Sequence, residues 1–114
     1  MRADDLLTLY RLQNTAPKGL MPKDQLVRLT DAYYEERTVG FSRQYAAMGA
    51  DQSIDELVRI WEDRTVRIGD YAVLPDGNQY RIDFIQHLKD EDGLPCSDLT
   101  LVRLESNYDV ATEA

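Results

Sequence analysis

The sequence predicts a mainly β domain, a small barrel or sandwich. Three observations carry this. Short runs alternate apolar and polar residues with a period of two, most plainly over residues 98–105. Asp76-Gly77 separates two strand-like runs, and glycine supplies the positive φ that tight hairpins need. Aromatic and β-branched residues, which suit a pleated surface, crowd residues 32–47. Closely spaced strands with turn punctuation fit either architecture, and a barrel hides its edges.

The elements follow in order. Residues 6–12 (LLTLYRL) put Leu7, Leu9 and Arg11 on one alternation. Their period does not separate helix from strand, but Thr8, Tyr10 and the short length favour a strand. Asn14, Pro17, Gly19 and Pro22 mark a loop. Residues 25–30 alternate Leu26, Arg28 and Thr30 against Val27 and Leu29. A long strand is expected across 32–47, bulged at Gly40, with Val39, Phe41, Arg43, Tyr45 and Ala47 on one face. One short helix over 42–50 is the alternative, because Ala46, Ala47 and Met48 are good helix formers and Gly49 would close it.

Residues 53–61 fit both periods, and a strand over 56–62 is preferred. Residues 66–70 lead to a turn. A hairpin then joins 71–74 to 79–85, with Tyr80, Ile82 and Phe84 on one face and Arg81 and Asp83 on the other. Residues 89–95 form an exposed acidic loop before the strand at 98–105. One domain is expected over residues 1–105. The tail, 106–114, lacks a core pattern and is expected to be flexible unless a partner docks it.

The 114 residues are 43% hydrophobic and 30% charged, an ordinary globular balance for one domain. No apolar run approaches the length of a membrane-spanning helix. The start, Met1-Arg2-Ala3-Asp4-Asp5, is acidic where a secretory signal would be basic and then apolar, so cytoplasmic synthesis is the expectation. The formal net charge is -8. Such a balance opposes binding to the DNA backbone and to anionic membranes. A well-solvated surface is the ordinary explanation. An acidic wall beside a channel that passes DNA is the functional one.

No catalytic constellation stands out. His87 and Cys96 supply two metal ligands where a structural zinc wants four, and Cys96 is the lone cysteine. Asp90-x-Asp92-Gly93 echoes a calcium loop but lacks its later bidentate glutamate. Cys96 lies among Asp92 and Asp98, whose charge disfavours a thiolate. Glu35-Glu36 and Asp55-Glu56 are adjacent pairs, which a strand sends to opposite faces. The glycines form no phosphate loop. No enzyme activity, cofactor, metal or small-molecule substrate is expected.

The tyrosines and arginines say more. Tyr33, Tyr34, Tyr45, Tyr71 and Tyr80 fall in expected strands, either half-buried in the barrel or at an interface, where tyrosine is enriched. Arg37, Arg43, Arg59 and Arg81 fall mid-strand, where a lone buried charge is costly. Each should meet solvent, a carboxylate or a neighbouring subunit. Tyr33, Tyr34, Arg43, Tyr45 and Arg59 are therefore the candidate interface residues.

One pattern is familiar. Thr38-Val39-Gly40-Phe41-Ser42-Arg43-Gln44-Tyr45-Ala46-Ala47 is followed by Val58-Arg59-Ile60, by Asp76-Gly77-x-x-Tyr80-Arg81-Ile82, and by Leu99-Thr100-Leu101-Val102-Arg103-Leu104. The combination, over roughly residues 25–105, resembles the head-closure or head–tail connector proteins of long-tailed bacteriophages and prophages. The loop at 88–98 is longer and more acidic than in the commoner pattern. The resemblance implies a small β-barrel with long hairpin excursions, assembled as a homo-oligomeric ring in the virion neck. Its partners would be the portal or adaptor and the tail, and DNA would pass through its lumen without sequence-specific contact. A tail terminator or other neck adaptor is the neighbouring alternative. A cytoplasmic OB-like module binding single strands is the alternative from another class, and the acidic balance opposes it.

Overall fold

The computed structural model describes residues 3–37 and 56–112. Six antiparallel strands close into a barrel in the order β1-β2-β3-β6-β5-β4. They are β1 (Asp5–Asn14), β2 (Asp24–Glu36), β3 (Glu56–Trp61), β4 (Tyr71–Val73), β5 (Gln79–Lys89) and β6 (Pro95–Arg103). The mainly β expectation holds, and the choice between barrel and sandwich falls to the barrel. No helix among the described residues is long and apolar enough to cross a membrane. The first part of the 32–47 strand is the end of β2. The remainder, with the bulge at Gly40 and the alternative helix, lies outside the described residues.

Period-two alternation places Leu7 and Leu9, Val58 and Ile60, and Leu99 and Leu101 inside the barrel, all buried. Burying a leucine or isoleucine side chain contributes about 1.5–3 kcal/mol each, so this interior is the main stabilising term. Two bulges modify the alternation. Leu9 pairs with Thr30 but Tyr10 with Arg28, which leaves Leu29 as an extra residue in β2. Leu29 packs against the core cluster, whereas Leu26 is buried outside that cluster, where its backbone pairs with the tail at Val110.

The second bulge corrects the expected face of β5. Ile82 pairs with Leu101 and Phe84 with Thr100, so Asp83 is the extra residue. The inward sequence becomes Tyr80, Ile82, Ile85. Ile85, not Phe84, packs on the core.

Two turns share one design. In 74–78, Gly77 N–H donates to the Leu74 carbonyl (2.9 Å) and Leu74 N–H to the Asn78 carbonyl (3.3 Å). In 90–94, Gly93 N–H donates to the Asp90 carbonyl (3.0 Å) and Asp90 N–H to the Leu94 carbonyl (2.9 Å). The positive φ falls on the glycine in each, 82° at Gly77 and 80° at Gly93, where a side chain would be strained. The Asp76-Gly77 hairpin signal is thus met by Pro75 and Asp76 at the turn centre, with glycine following.

The tail finds a dock within its own chain. Leu26 N–H donates to the Asp109 carbonyl and Ala111 N–H to the Leu26 carbonyl, both at 2.9 Å. The Gln79 side chain bonds the Tyr108 backbone in both directions at 2.8 Å.

Candidate assembly surface

Alternation sends the neighbours Tyr33 and Tyr34 to opposite sides of β2. Tyr34 turns inward, 4% exposed, at one end of the barrel. Tyr33 turns outward and is 59% exposed. The β2–β3 ladder ends at Tyr34 opposite Ile60. One step beyond, Tyr33 falls opposite Trp61, itself 42% exposed. A groove of about 430 Å³ opens there, walled by the two aromatics and edged by Asp31, Glu62, Asp63 and Arg64. Arg64 Nε is 2.8 Å from Glu62 Oε1. Arg28 and then the Thr8 hydroxyl, both bonded to Asp31, hold its carboxyl below the usual range. Two large exposed aromatic faces in one groove form the kind of surface that proteins cover.

Three of the four mid-strand arginines are described, and each meets a carboxylate. Arg59 pairs with Asp98 on β6, Arg81 with Asp83 at 2.6 Å, and Arg37 with Glu35 at 2.8 Å. Arg59, a candidate interface residue, thus has its charge met within the chain. Arg43 and Tyr45 lie outside the described residues. The structure brings Tyr33, Tyr34 and Arg59 onto the β2–β3 wall. Trp61 and Asp98 escaped the sequence reading. The lone tryptophan, two residues from Arg59 on the same alternation, was the available signal for the first. Nothing in the sequence marks the second.

The other candidates separate. His87 pairs with Ser97 and Leu88 with Cys96 in the β5–β6 register, so His87 and Cys96 face opposite sides and cannot share a metal. His87 Nδ1 instead lies 2.7 Å from Ser97 Oγ. Cys96 is fully buried, and that burial pushes its thiol above the ordinary value, against nucleophilic use. Carboxylate oxygens of Asp90, Glu91 and Asp92 lie within 4.8 Å of one another. Asp90 Oδ1 is engaged there by the Asp92 and Leu94 amides, at 3.0 and 2.9 Å, so it shapes the turn.

No family model and no curated protein matches the chain. Among solved structures it is similar to the solution structure of protein SF1141 from Shigella flexneri 2a. Identity is 19% and the TM-score 0.64, over 92% of this chain and 96% of that one. At that identity the likeness shows a shared fold and nothing of activity.

Proposed function

We propose that the chain is a structural protein of a tailed-phage or prophage neck, a ring subunit that closes the filled head and joins it to the tail. It would be made in the bacterial cytoplasm and reside in the virion. One observation carries this reading. Three of the four motif segments behind the phage resemblance occupy β3, the β4–β5 turn with β5, and β6, and β3, β6 and β5 are consecutive strands of the barrel. The scattered motifs thus form one continuous wall. The exposed Tyr33–Trp61 groove on the adjoining β2–β3 seam supplies a surface for assembly.

Disrupting the reading frame in the phage that encodes it tests the proposal. Electron microscopy should show filled heads and free tails that fail to join. Normal virions in normal number overturn it. The single-strand-binding alternative would stack bases on Tyr33 and Trp61, but Asp31, Glu62 and Asp63 outnumber Arg64 around these rings, and Arg64 is paired with Glu62, so the edge disfavours phosphate. Micromolar affinity for single-stranded DNA at physiological salt would reinstate that alternative.

A further inference from the structure

The loop between β1 and β2 holds apolar side chains out to solvent. Leu20 is 66% and Met21 86% exposed, the highest values for large apolar side chains among the described residues. Their loop is pinned at several points. Asn14 Oδ1 accepts from the Ala16 and Lys23 amides at 3.1 and 2.9 Å. Thr15 N–H donates to the Lys23 carbonyl (2.9 Å) and Leu20 N–H to that of Pro17 (3.1 Å). Pro17 and Pro22 fix φ on either side of the exposed pair. A loop held in this way loses little freedom on docking, so the pair forms a preorganised knob.

The knob also carries charge against the trend of the chain. In a protein of net charge -8, residues 15–23 contain Lys18 and Lys23 and no acid. The Tyr33–Trp61 groove is its complement. Leu6, itself exposed, is the register partner of Tyr33 and extends the apolar strip onto β1. On the groove's edge, Asp31 faces Arg28 and Glu62 faces Arg64. Asp63 accepts from the Thr65 amide and hydroxyl at 2.9 and 2.6 Å. Those donors are neutral, so the groove keeps a negative charge at Asp63. One chain cannot join its own two parts. Tyr33 lies nine residues beyond Asp24 on β2, about 30 Å at the rise of a strand.

We infer that the Leu20–Met21 knob of one copy docks in the Tyr33–Trp61 groove of a second copy of this chain, with Lys18 and Lys23 turned to the Asp63 edge. Methionine suits the place, because its flexible thioether packs well against aromatic rings. Knob and groove are different surfaces, so the contact is head-to-tail and closes into a ring where the rotation between copies fits. The inference names the occupant of the groove and rests on its reading as an assembly surface.

The test mixes two preparations of the full chain at about 1 mM, where even contacts of that affinity are populated. One is ¹⁵N-labelled. The other is unlabelled and carries a nitroxide at Gln13→Cys, beside the loop; Cys96 is fully buried and stays unmodified. Only contact between copies can then broaden the labelled signals. The expected result is broadening at the Tyr33, Glu62 and Asp63 amides and the Trp61 indole, reduced by salt. Leu20→Ser/Met21→Ser in the nitroxide copy should weaken the contact at least about tenfold. Lys18→Glu/Lys23→Glu should weaken it about tenfold, and Asp63→Lys in the labelled copy should restore it. These side chains lie at the surface, so each variant should unfold like the parent. No broadening at the groove, broadening at another face instead, or parent-like broadening with the serine pair overturns the inference. The groove's own reading fails separately. Portal or tail proteins that bind the serine pair but not Tyr33→Ser would leave the groove an assembly surface with a different occupant, whereas unchanged association of Tyr33→Ser with every partner would remove both.

Discussion

Arg59 and Asp98 face each other as register partners across β3 and β6, joined twice: Nε to Oδ1 at 2.6 Å and Nη2 to Oδ2 at 3.0 Å. Each side chain is 9% exposed. Such a pair stabilises little relative to apolar residues of the same shape, because both charges lose water. Breaking it is another matter. Asp98→Ala leaves a guanidinium buried alone and should cost about 3–5 kcal/mol, read by urea unfolding. The double replacement Arg59→Met/Asp98→Leu should lose less than either single change. Single variants within about 1 kcal/mol of the parent would show that the pair is reached by water.

The partner of Arg59 was not legible in the sequence, and the reason is topological. Periodicity shows that Val58 and Ile60 share a face, and that Arg59 opposes them. It does not show which strand lies beside β3, and β6 arrives 39 positions later, with β4 and β5 in between. The strands themselves were legible because their alternation is local. The face of Phe84 was misread for a related reason: a single extra residue, Asp83, inverts every later parity, and nothing in its side chain announces the bulge. Likewise, Tyr33 and Tyr34 must take opposite sides, but closure of the barrel decides which is inside.

A second clasp lies at the end of the barrel away from Asp5 and Tyr34. Asp70 accepts from Arg11 Nε (3.0 Å) and Nη2 (2.8 Å) and from the Arg67 amide (2.8 Å). It thereby ties the 62–70 segment to β1, while Arg11 Nη2 also reaches the Thr65 carbonyl at 2.9 Å. Asp70→Asn keeps the shape but removes the charge. It should cost about 1.5–3 kcal/mol, the range for hydrogen bonds to charged groups. Amide exchange should quicken first at Gly69 and Ile82, whose backbone bonds close this segment on β5. Uniform quickening over the whole barrel would mean that the clasp is global rather than local.

Tyr34 gives the protein an alkaline limit. Burial first, and then the charges of Asp5, Glu36, Glu56 and Asp76, push its phenol up to about 12. An unfolded tyrosine titrates near 10. The folded value is the higher one, so the contribution is complete below about pH 10 and is lost as pH rises towards 12. Tyr71 and Tyr80 are raised in the same direction, chiefly by burial. Stability should therefore fall steeply over that window. Tyr34→Phe should reduce the slope by one proton, about 1.4 kcal/mol per pH unit. An unchanged slope in that variant would place the Tyr34 hydroxyl in water.

Tyr33 and Trp61 are exposed, so their loss should separate assembly from folding. Neither ring belongs to the barrel interior, and surface changes away from caps, ion pairs and turns fall within about 0.5 kcal/mol. Tyr33→Ser and Trp61→Ala should thus unfold at nearly the parent denaturant concentration. Central aromatic contacts of an interface commonly cost 2 kcal/mol or more when truncated, roughly thirtyfold in affinity. Under the proposed neck role, each variant should therefore lose association with portal or tail proteins, or with further copies on a preassembled portal, in a pull-down and in sedimentation. The lone tryptophan also makes a direct reporter. Its fluorescence should shift to shorter wavelength when the groove is covered, and Tyr33→Ser should abolish that shift. Parent-like association by both variants would remove the groove from the assembly surface.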